Sequence, residues 1–345
     1  MRSMRVRALR PTHARAREVV IEGTAGSRFV LPPVIDSGIA EDGRSYREQH
    51  RLEVVSPTEL IRVIASAAKG HFSELSGDYS DVPRSAEMRE LGLSFFLTRL
   101  TIDFFGEPPR AGQAVEVETF FRPARVSFRR DFVIRDAASG AVVAAATSTY
   151  VLVNLETRRL GRAPKAMVDS YADYFAGDGG RFAEPRLPSK SKIAADVPRD
   201  AAHAAVTFVV APRDIDRNGH VEATVYIEWL LESIGALRTN RTRAPKKEGK
   251  EEEGVEGMEG MEGEGTFPHF PSTLTHLDVE YKQECFLGQE IVSLAAHAEE
   301  AGAGAGDGKD GDGGGGGDGG MAVDHVVATG EGETLIRAKT RWTHN

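Results

Sequence analysis

Val221-Glu222-Ala223-Thr224-Val225-Tyr226-Ile227-Glu228-Trp229-Leu230-Leu231-Glu232-Ser233-Ile234-Gly235-Ala236-Leu237 is apolar around most of its circumference, with Glu222, Glu228 and Glu232 as its few charges. A helix laid on a protein surface keeps a broad polar face, whereas one that is apolar nearly all round is buried. The stretch therefore predicts a buried helix over 221–238. Its surroundings read as strands. Residues 205–211 precede it, and 273–283, 289–298, 321–328 and 333–343 follow it, rich in Val, Ile, Thr and aromatic residues and separated by Gly and Asp breaks.

The first half of the chain has the same order. Residues 46–55 read as extended. Ser56-Pro57-Thr58-Glu59 then predicts a helix start, with Ser as cap, Pro in the first turn and Glu reaching back. Leu60, Ile61, Ile64 and Ala68 continue that helix, and strands are predicted at 93–104, 113–122, 126–136 and 141–153. The halves align directly. Leu97-Thr98-Arg99-Leu100-Thr101-Ile102-Asp103-Phe104 matches Leu274-Thr275-His276-Leu277-Asp278-Val279-Glu280-Tyr281 at an offset of 274 − 97 = 177. Gly140, Ala146 and Tyr150 match Gly332, Ala338 and Trp342 at an offset of 192, and the extra 15 residues fall where a Gly/Asp-rich run, 299–320, interrupts the second half. The expected fold class is α+β: a double hotdog, two repeats each with a long buried helix wrapped by an antiparallel sheet. The expected organisation is a basic, disordered segment at 1–44, an N-terminal hotdog at 45–154, an inter-repeat linker at 155–204 and a C-terminal hotdog at 205–345. The last carries low-complexity inserts at 241–266 and 299–320.

Composition narrows the function classes. The net charge of −9 is misleading, because 246–264 and 299–320 each contribute −5 and the remainder carries +1. Nothing in that remainder forms a large basic surface for nucleic acid. No apolar run approaches the roughly 18 residues of a membrane span. The single cysteine, Cys285, rules out an intramolecular disulfide and a cysteine-rich zinc module, and no cofactor or metal is expected. Residues 1–17 hold six Arg and no acid, which resembles an organelle transit peptide, with a basic tail as the equal alternative. The transit-peptide reading implies a plastid stroma; without it, the cytoplasm is expected.

The chemistry is concentrated where strand meets buried helix. Asp214-Ile215-Asp216-Arg217-Asn218-Gly219-His220-Val221 sets polar side chains at 216, 218 and 220, just before a helix N-terminus whose amides can stabilise an oxyanion. Asn supplies a neutral donor, and His moves protons near neutral pH. Asp, Asn and Gly are also common turn formers, and the octapeptide taken alone fits a plain turn.

That octapeptide, together with Tyr226-Ile227-Glu228-Trp229-Leu230-Leu231-Glu232-Ser233 and Val279-Glu280-Tyr281-Lys282-Gln283-Glu284-Cys285, resembles the signatures of the plant and bacterial acyl-ACP thioesterases. Met88-Arg89-Glu90-Leu91-Gly92-Leu93, Arg129-Arg130-Asp131-Phe132, Ala146-Thr147-Ser148 and Thr157-Arg158-Arg159-Leu160 match segments of that family's first half, so the similarity runs from 45 to 343 around the two inserts. The resemblance implies hydrolysis of fatty acyl-ACP to free acid and ACP, ending chain elongation. It also implies that Asp216, Asn218, His220, Glu284 and Cys285 are catalytic, and that the first half holds the acyl chain. Two departures follow from it: Glu222 and Ala223 stand where the family usually has two Asn, and Gly219 replaces a common Gln.

Two mechanisms fit these residues. Cys285 attacks the carbonyl after activation by His220, which Asn218 orients; or Glu284 activates water while Asp216, Asn218 and His220 bind water and substrate. The second is preferred, because hotdog thioesterases generally use a carboxylate. Cys285 also reads as a small buried hydrophobe. The first repeat has Glu107-Pro108 where the second has Glu284-Cys285, so it does not duplicate the site. Phe95, Phe96, Phe104 and Phe105 are candidates to line an acyl pocket, with ordinary core as the competing reading for each. The expected partner is acyl carrier protein, an acidic substrate carrier, with Arg122, Arg125, Arg129, Arg130, Arg158, Arg159 and Arg162 as candidate contacts; a homodimer is also admitted. Rival readings are an acyl-CoA thioesterase on the same fold, a hotdog dehydratase or hydratase, and a non-catalytic acyl-carrier binding protein.

Overall fold

A computed structural model describes residues 34–39, 45–52, 56–123, 127–172, 187–194, 196–199, 202–216, 219–240, 273–298 and 320–343. The Arg-rich stretch 1–17, both low-complexity inserts apart from Gly320, and Asn218 lie outside the described residues. The chain forms two units, Met1–Phe96 with Phe105–Leu187, and Leu97–Phe104 with Pro188–Asn345.

In the first unit, β1 (Val34–Ile39), β2 (Tyr46–Arg51), β4 (Ala114–Pro123), β5 (Phe128–Asp136) and β6 (Val142–Asn154) pair antiparallel in that order, and β7 (Leu160–Gly161) adds to β6. The helix α1 (Pro57–Ser76) lies against β1, β2 and β4, and a short helix α2 (Ala86–Glu90) follows it. Its start follows from sequence: Ser56 Oγ accepts the Glu59 amide at 3.2 Å, with Pro57 in the first turn. It stops at Gly77, whose φ of 67° is left-handed and whose N–H reaches Ser73 O at 2.9 Å.

Two expectations about this half need correction. Residues 34–39, within the segment expected to lack order, form β1 on the edge of β2, with a register shift between Val34 and Ser37. Nor is 155–204 a bare linker. It contributes β7 and α3 (Lys165–Ser170), and Met167 and Tyr171 join Phe72, Met88, Phe121 and Phe128 in one buried cluster. Phe95 packs edge-on against Phe72 and Phe128 at 5.1 Å each, so it is part of that core.

In the second unit, which takes residues 97–104 of β3 (Leu93–Phe104), Arg99 to Asp103 pair antiparallel with β9 (Thr273–Tyr281). The sheet continues antiparallel through β12 (Thr334–Thr343), β11 (Met321–Thr329), β10 (Glu290–His297) and β8 (Ala204–Val209). The helix α4 (Ala223–Asn240) packs on β8, β10 and β11. Val225, Tyr226, Ile227, Trp229, Leu230, Ile234 and Leu237 are all buried, and among its residues up to 237 only Glu232 and Gly235 are exposed. Full burial of each large apolar side chain contributes about 1.5–3 kcal/mol, so packing rather than helix propensity holds this segment. The helix begins two residues later than expected, at Ala223.

His325 on β11 is 1% exposed, bonds Thr340 Oγ1 through Nε2 at 3.0 Å, and has no partner on Nδ1 among the described residues. Burial lowers its pKa from 6.5 to about 3. The unfolded chain then binds a proton that the folded chain refuses. The stabilisation is complete above the unfolded value and declines by about 1.4 kcal/mol per pH unit from 6.5 down to about 3. His71 in the first unit is displaced in the same direction, first by burial and then by Arg130. His325→Leu should flatten the acid limb of denaturant-measured stability. An acid limb unchanged from wild type would contradict this origin.

Candidate active site

Between β8 and α4 the chain turns twice. A 3₁₀ turn at Pro212–Asp214 is followed by a bridge between Ile215 and Val221. The loop between them is closed by Asp216 N–H to His220 O at 2.7 Å and by His220 N–H to Asp216 Oδ1 at 3.2 Å. Asp216 thus fixes the backbone that carries His220. Gly219 has a φ of 80°, a conformation costly for any side chain. A glycine at this position is what the turn requires. His220 is held three residues ahead of an 18-residue helix, whose first-turn amides have no intrahelical acceptor.

The opposing residues come from beyond β9. That strand ends at Tyr281, and the Lys282 and Gln283 N–H groups still bond Leu335 O of β12, at 2.8 and 3.2 Å. The following turn is closed by Phe286 N–H to Gln289 Oε1 at 2.7 Å, and Gly288 N–H bonds Val210 O at 2.9 Å. Glu284 and Cys285 therefore sit on irregular backbone, so strict alternation does not decide where they point. They nonetheless diverge. The Glu284 carboxylate is 25% exposed, and its Oε1 lies 3.3 Å from His220 Nδ1, itself 22% exposed. Cys285 is 0% exposed. Its Sγ lies 3.2 Å from the Tyr226 hydroxyl of α4, which also accepts the Cys285 N–H at 3.1 Å.

The electrostatics follow from this placement. Burial, ahead of other causes, pushes the Cys285 thiol above its ordinary value. Burial likewise raises the Tyr226 phenol, keeping it protonated. A buried neutral thiol beside a neutral phenol is a poor nucleophile. Native Cys285 should therefore resist an aromatic disulfide reagent until denaturant unfolds the chain; stoichiometric reaction of the folded protein would contradict that. Among the described residues, the structure brings together Asp216, His220 and Glu284, and sets Cys285 behind them in the core against α4. Sequence spacing gave Tyr226 no role of its own; its signals were its place in a buried helix and in the stretch 226–233 that resembles the family signature.

Of the arginines proposed to meet a carrier, Arg130 is excluded. It is 3% exposed, its guanidinium donates to His71 Nδ1 at 2.8 Å and lies 4.7 Å over the Phe121 ring, and burial lowers its pKa to about 10. Arg129 pairs with Asp131 at 2.7 Å, whereas Arg158, Arg159 and Arg162 are exposed. The side chains of Arg122 and Arg125 lie outside the described residues.

Comparison with known proteins places this arrangement in a family. The acyl-ACP thioesterase N-terminal domain model matches residues 46–171, and the acyl-ACP thioesterase C-terminal domain model matches 198–247. Oleoyl-acyl carrier protein thioesterase 2, chloroplastic, of Arabidopsis thaliana is 32% identical over 206 residues, covering 57% of this chain and 56% of that protein. The chain thus spans about half the length of such curated relatives. Dodecanoyl-[acyl-carrier-protein] hydrolase, chloroplastic, of Cinnamomum camphora is 25% identical over 328 residues, covering 90% of this chain and 71% of that protein. Among solved structures, the 12:0-ACP thioesterase from Umbellularia californica superposes with a TM-score of 0.62 at 20% identity, over 88% of this chain and 95% of the other. An oleoyl thioesterase (putative) from Lactobacillus plantarum gives 0.60 at 21%, over 87% and 96%. At these identities the structural likeness speaks for the fold, an antiparallel hotdog-type sheet with few helices. With both domain models matched in order, the chain belongs to the acyl-ACP thioesterase family.

Proposed function

We propose that the protein hydrolyses fatty acyl-ACP thioesters to free fatty acid and ACP, with water as nucleophile and Glu284 as its base. The observation that carries this reading is the contrast between chain neighbours. Glu284 is part-exposed and 3.3 Å from His220, whereas Cys285 is fully buried against Tyr226. In the reaction, Glu284 takes a proton from water as the oxygen attacks the thioester carbonyl. The C–S bond then breaks, and the thiolate leaves with a proton returned from the carboxyl. A thiolate leaves far more easily than an amine, so a single carboxylate suffices as base and proton carrier. His220, with Asn218 two residues before it in sequence, polarises the carbonyl, and Asp216 positions His220 through its backbone. Names of relatives that act on oleoyl- and dodecanoyl-carrier substrates support ACP as the carrier. Their chloroplastic location, with the Arg-rich start of this chain, supports the plastid stroma.

The double hotdog is the proposed architecture behind this site. It is supported by the register of β3 on β9, which pairs Thr101 with Asp278, the residue that the 177-residue offset makes its counterpart.

The test is a comparison of matched acyl-ACP and acyl-CoA. The carrier is acidic, and Arg158, Arg159 and Arg162 are exposed, so kcat/KM should favour acyl-ACP by a margin that shrinks as salt rises. Equal or better use of acyl-CoA would instead assign the chain to acyl-CoA chemistry.

A further inference from the structure

The second unit contains another set of reactive side chains that the Glu284 mechanism does not use. Asp103 on β3 and His276 on β9 are directly paired across the strands, so they share a face. His276 Nδ1 lies 2.5 Å from Asp103 Oδ1, and Ser191 Oγ lies 2.8 Å from His276 Nε2. A carboxylate only accepts hydrogen bonds. The neutral imidazole must therefore carry its proton on Nδ1 and present the Nε2 lone pair to the serine. This is the connectivity of a Ser-His-Asp triad, which is recognised by geometry and role rather than by position in the chain.

The serine is fixed from behind. Its N–H donates to Asp278 Oδ2 at 2.6 Å, and its carbonyl accepts Arg99 Nη2 at 2.8 Å, while Arg99 and Asp278 pair with each other at 2.7 Å. An otherwise irregular segment, 187–194, is thus pinned at one residue. His276 is 6% exposed, shielded as a triad histidine must be, while Ser191 is half-buried. Arg341, opposite His276 on the other flank of β9, is exposed.

We infer that Ser191 is a second nucleophile, a serine that accepts acyl groups from activated esters or thioesters, with His276 as its base and Asp103 orienting the imidazole. In the first step Ser191 Oγ bonds to the carbonyl carbon as its proton moves to His276 Nε2. The bond to the leaving alcohol or thiol then breaks, and the leaving group takes that proton. Water repeats the sequence on the acyl-serine, releasing the acid and restoring the hydroxyl. The cation at Arg341 favours substrates that carry an anion beyond the reacting carbonyl. The site is independent of Glu284, and so is its test.

The full chain is treated with a fluorophosphonate, which phosphonylates a serine oxygen made nucleophilic by its histidine and expels fluoride, and the modified residue is located by peptide mapping. Wild type and Glu284→Gln should both be labelled at Ser191. Ser191→Ala should lose that label. Asp103→Asn, which favours the wrong tautomer, should be labelled at least about a hundredfold more slowly, given that the equivalent change in a serine protease costs about 10⁴. A burst of p-nitrophenol from a p-nitrophenyl acyl ester should survive Glu284→Gln and vanish in Ser191→Ala, with cooperative unfolding retained by each variant. A folded wild type unlabelled at Ser191, or an Asp103→Asn protein labelled at the wild-type rate, overturns the inference.

Discussion

Glu284→Gln is expected to lower turnover of an acyl thioester by about 10²–10⁴-fold, while Cys285→Ala leaves most of the rate in place. The amide keeps the size and hydrogen bonding of Glu284 but cannot take a proton from water. His220 Nδ1, 3.3 Å from the carboxylate, then faces a neutral group. Cys285, by contrast, is buried beside the Tyr226 hydroxyl, and burial holds its thiol in the protonated form. Its removal loosens packing under α4 and leaves the Tyr226 hydroxyl with the Cys285 N–H still bound to it. The effect of Cys285→Ala should appear in thermal stability more than in kcat. His220→Ala should be severe by either route and does not discriminate between them. A nearly fully active Glu284→Gln beside an inactive Cys285→Ala would reverse the assignment of base and bystander.

Asp278→Ala is expected to destabilise the second unit by about 3–5 kcal/mol, the range for removing one partner of a buried ion pair. Asp278 is 0% exposed and accepts from Arg99 Nε at 2.8 Å, Arg99 Nη2 at 2.7 Å, Thr101 Oγ1 at 3.0 Å and the Ser191 amide at 2.6 Å. Truncation leaves the guanidinium, only 14% exposed, with Glu280 as its remaining carboxylate. Asp278→Asn retains acceptors for part of this network and should cost less. Urea denaturation at neutral pH measures both, and a loss below about 1 kcal/mol for Asp278→Ala would show that solvent already screens the pair.

The parts of the fold that were legible in the sequence are those with a long, repeated signal. The strand expected at 93–104 is β3 to the residue, and the capped helix start at Ser56-Pro57 is observed with its Ser56 Oγ bond. The elements that escaped are short. In β1, Val-Ile-Asp-Ser-Gly-Ile has no alternation to reveal a buried face, and α3 has six residues and no side-chain cap. Periodicity needs more length than that to stand out.

The site divides in the same way. Residue types around 216–220 and 284–285 were visible as motifs, but the direction each side chain takes was not. It depends on β9 ending at Tyr281 and on Tyr226 reaching Cys285 from a helix 59 positions away. Arg130 read as surface charge, one of several arginines offered to an acidic carrier. Only the strand register turns it inward, onto His71. Ser191, His276 and Asp103 share no local motif, and nothing in their spacing signals that they meet.

The most direct measurement is incubation of the purified chain with a chain-length panel of acyl-ACP, following free thiol and free fatty acid together. The account predicts catalytic, multiple-turnover release of both in equal amounts for some chain length, suppressed in Glu284→Gln and in His220→Ala. Acyl-ACP left intact at every chain length by a folded wild-type protein, or turnover that Glu284→Gln does not lower, would contradict it.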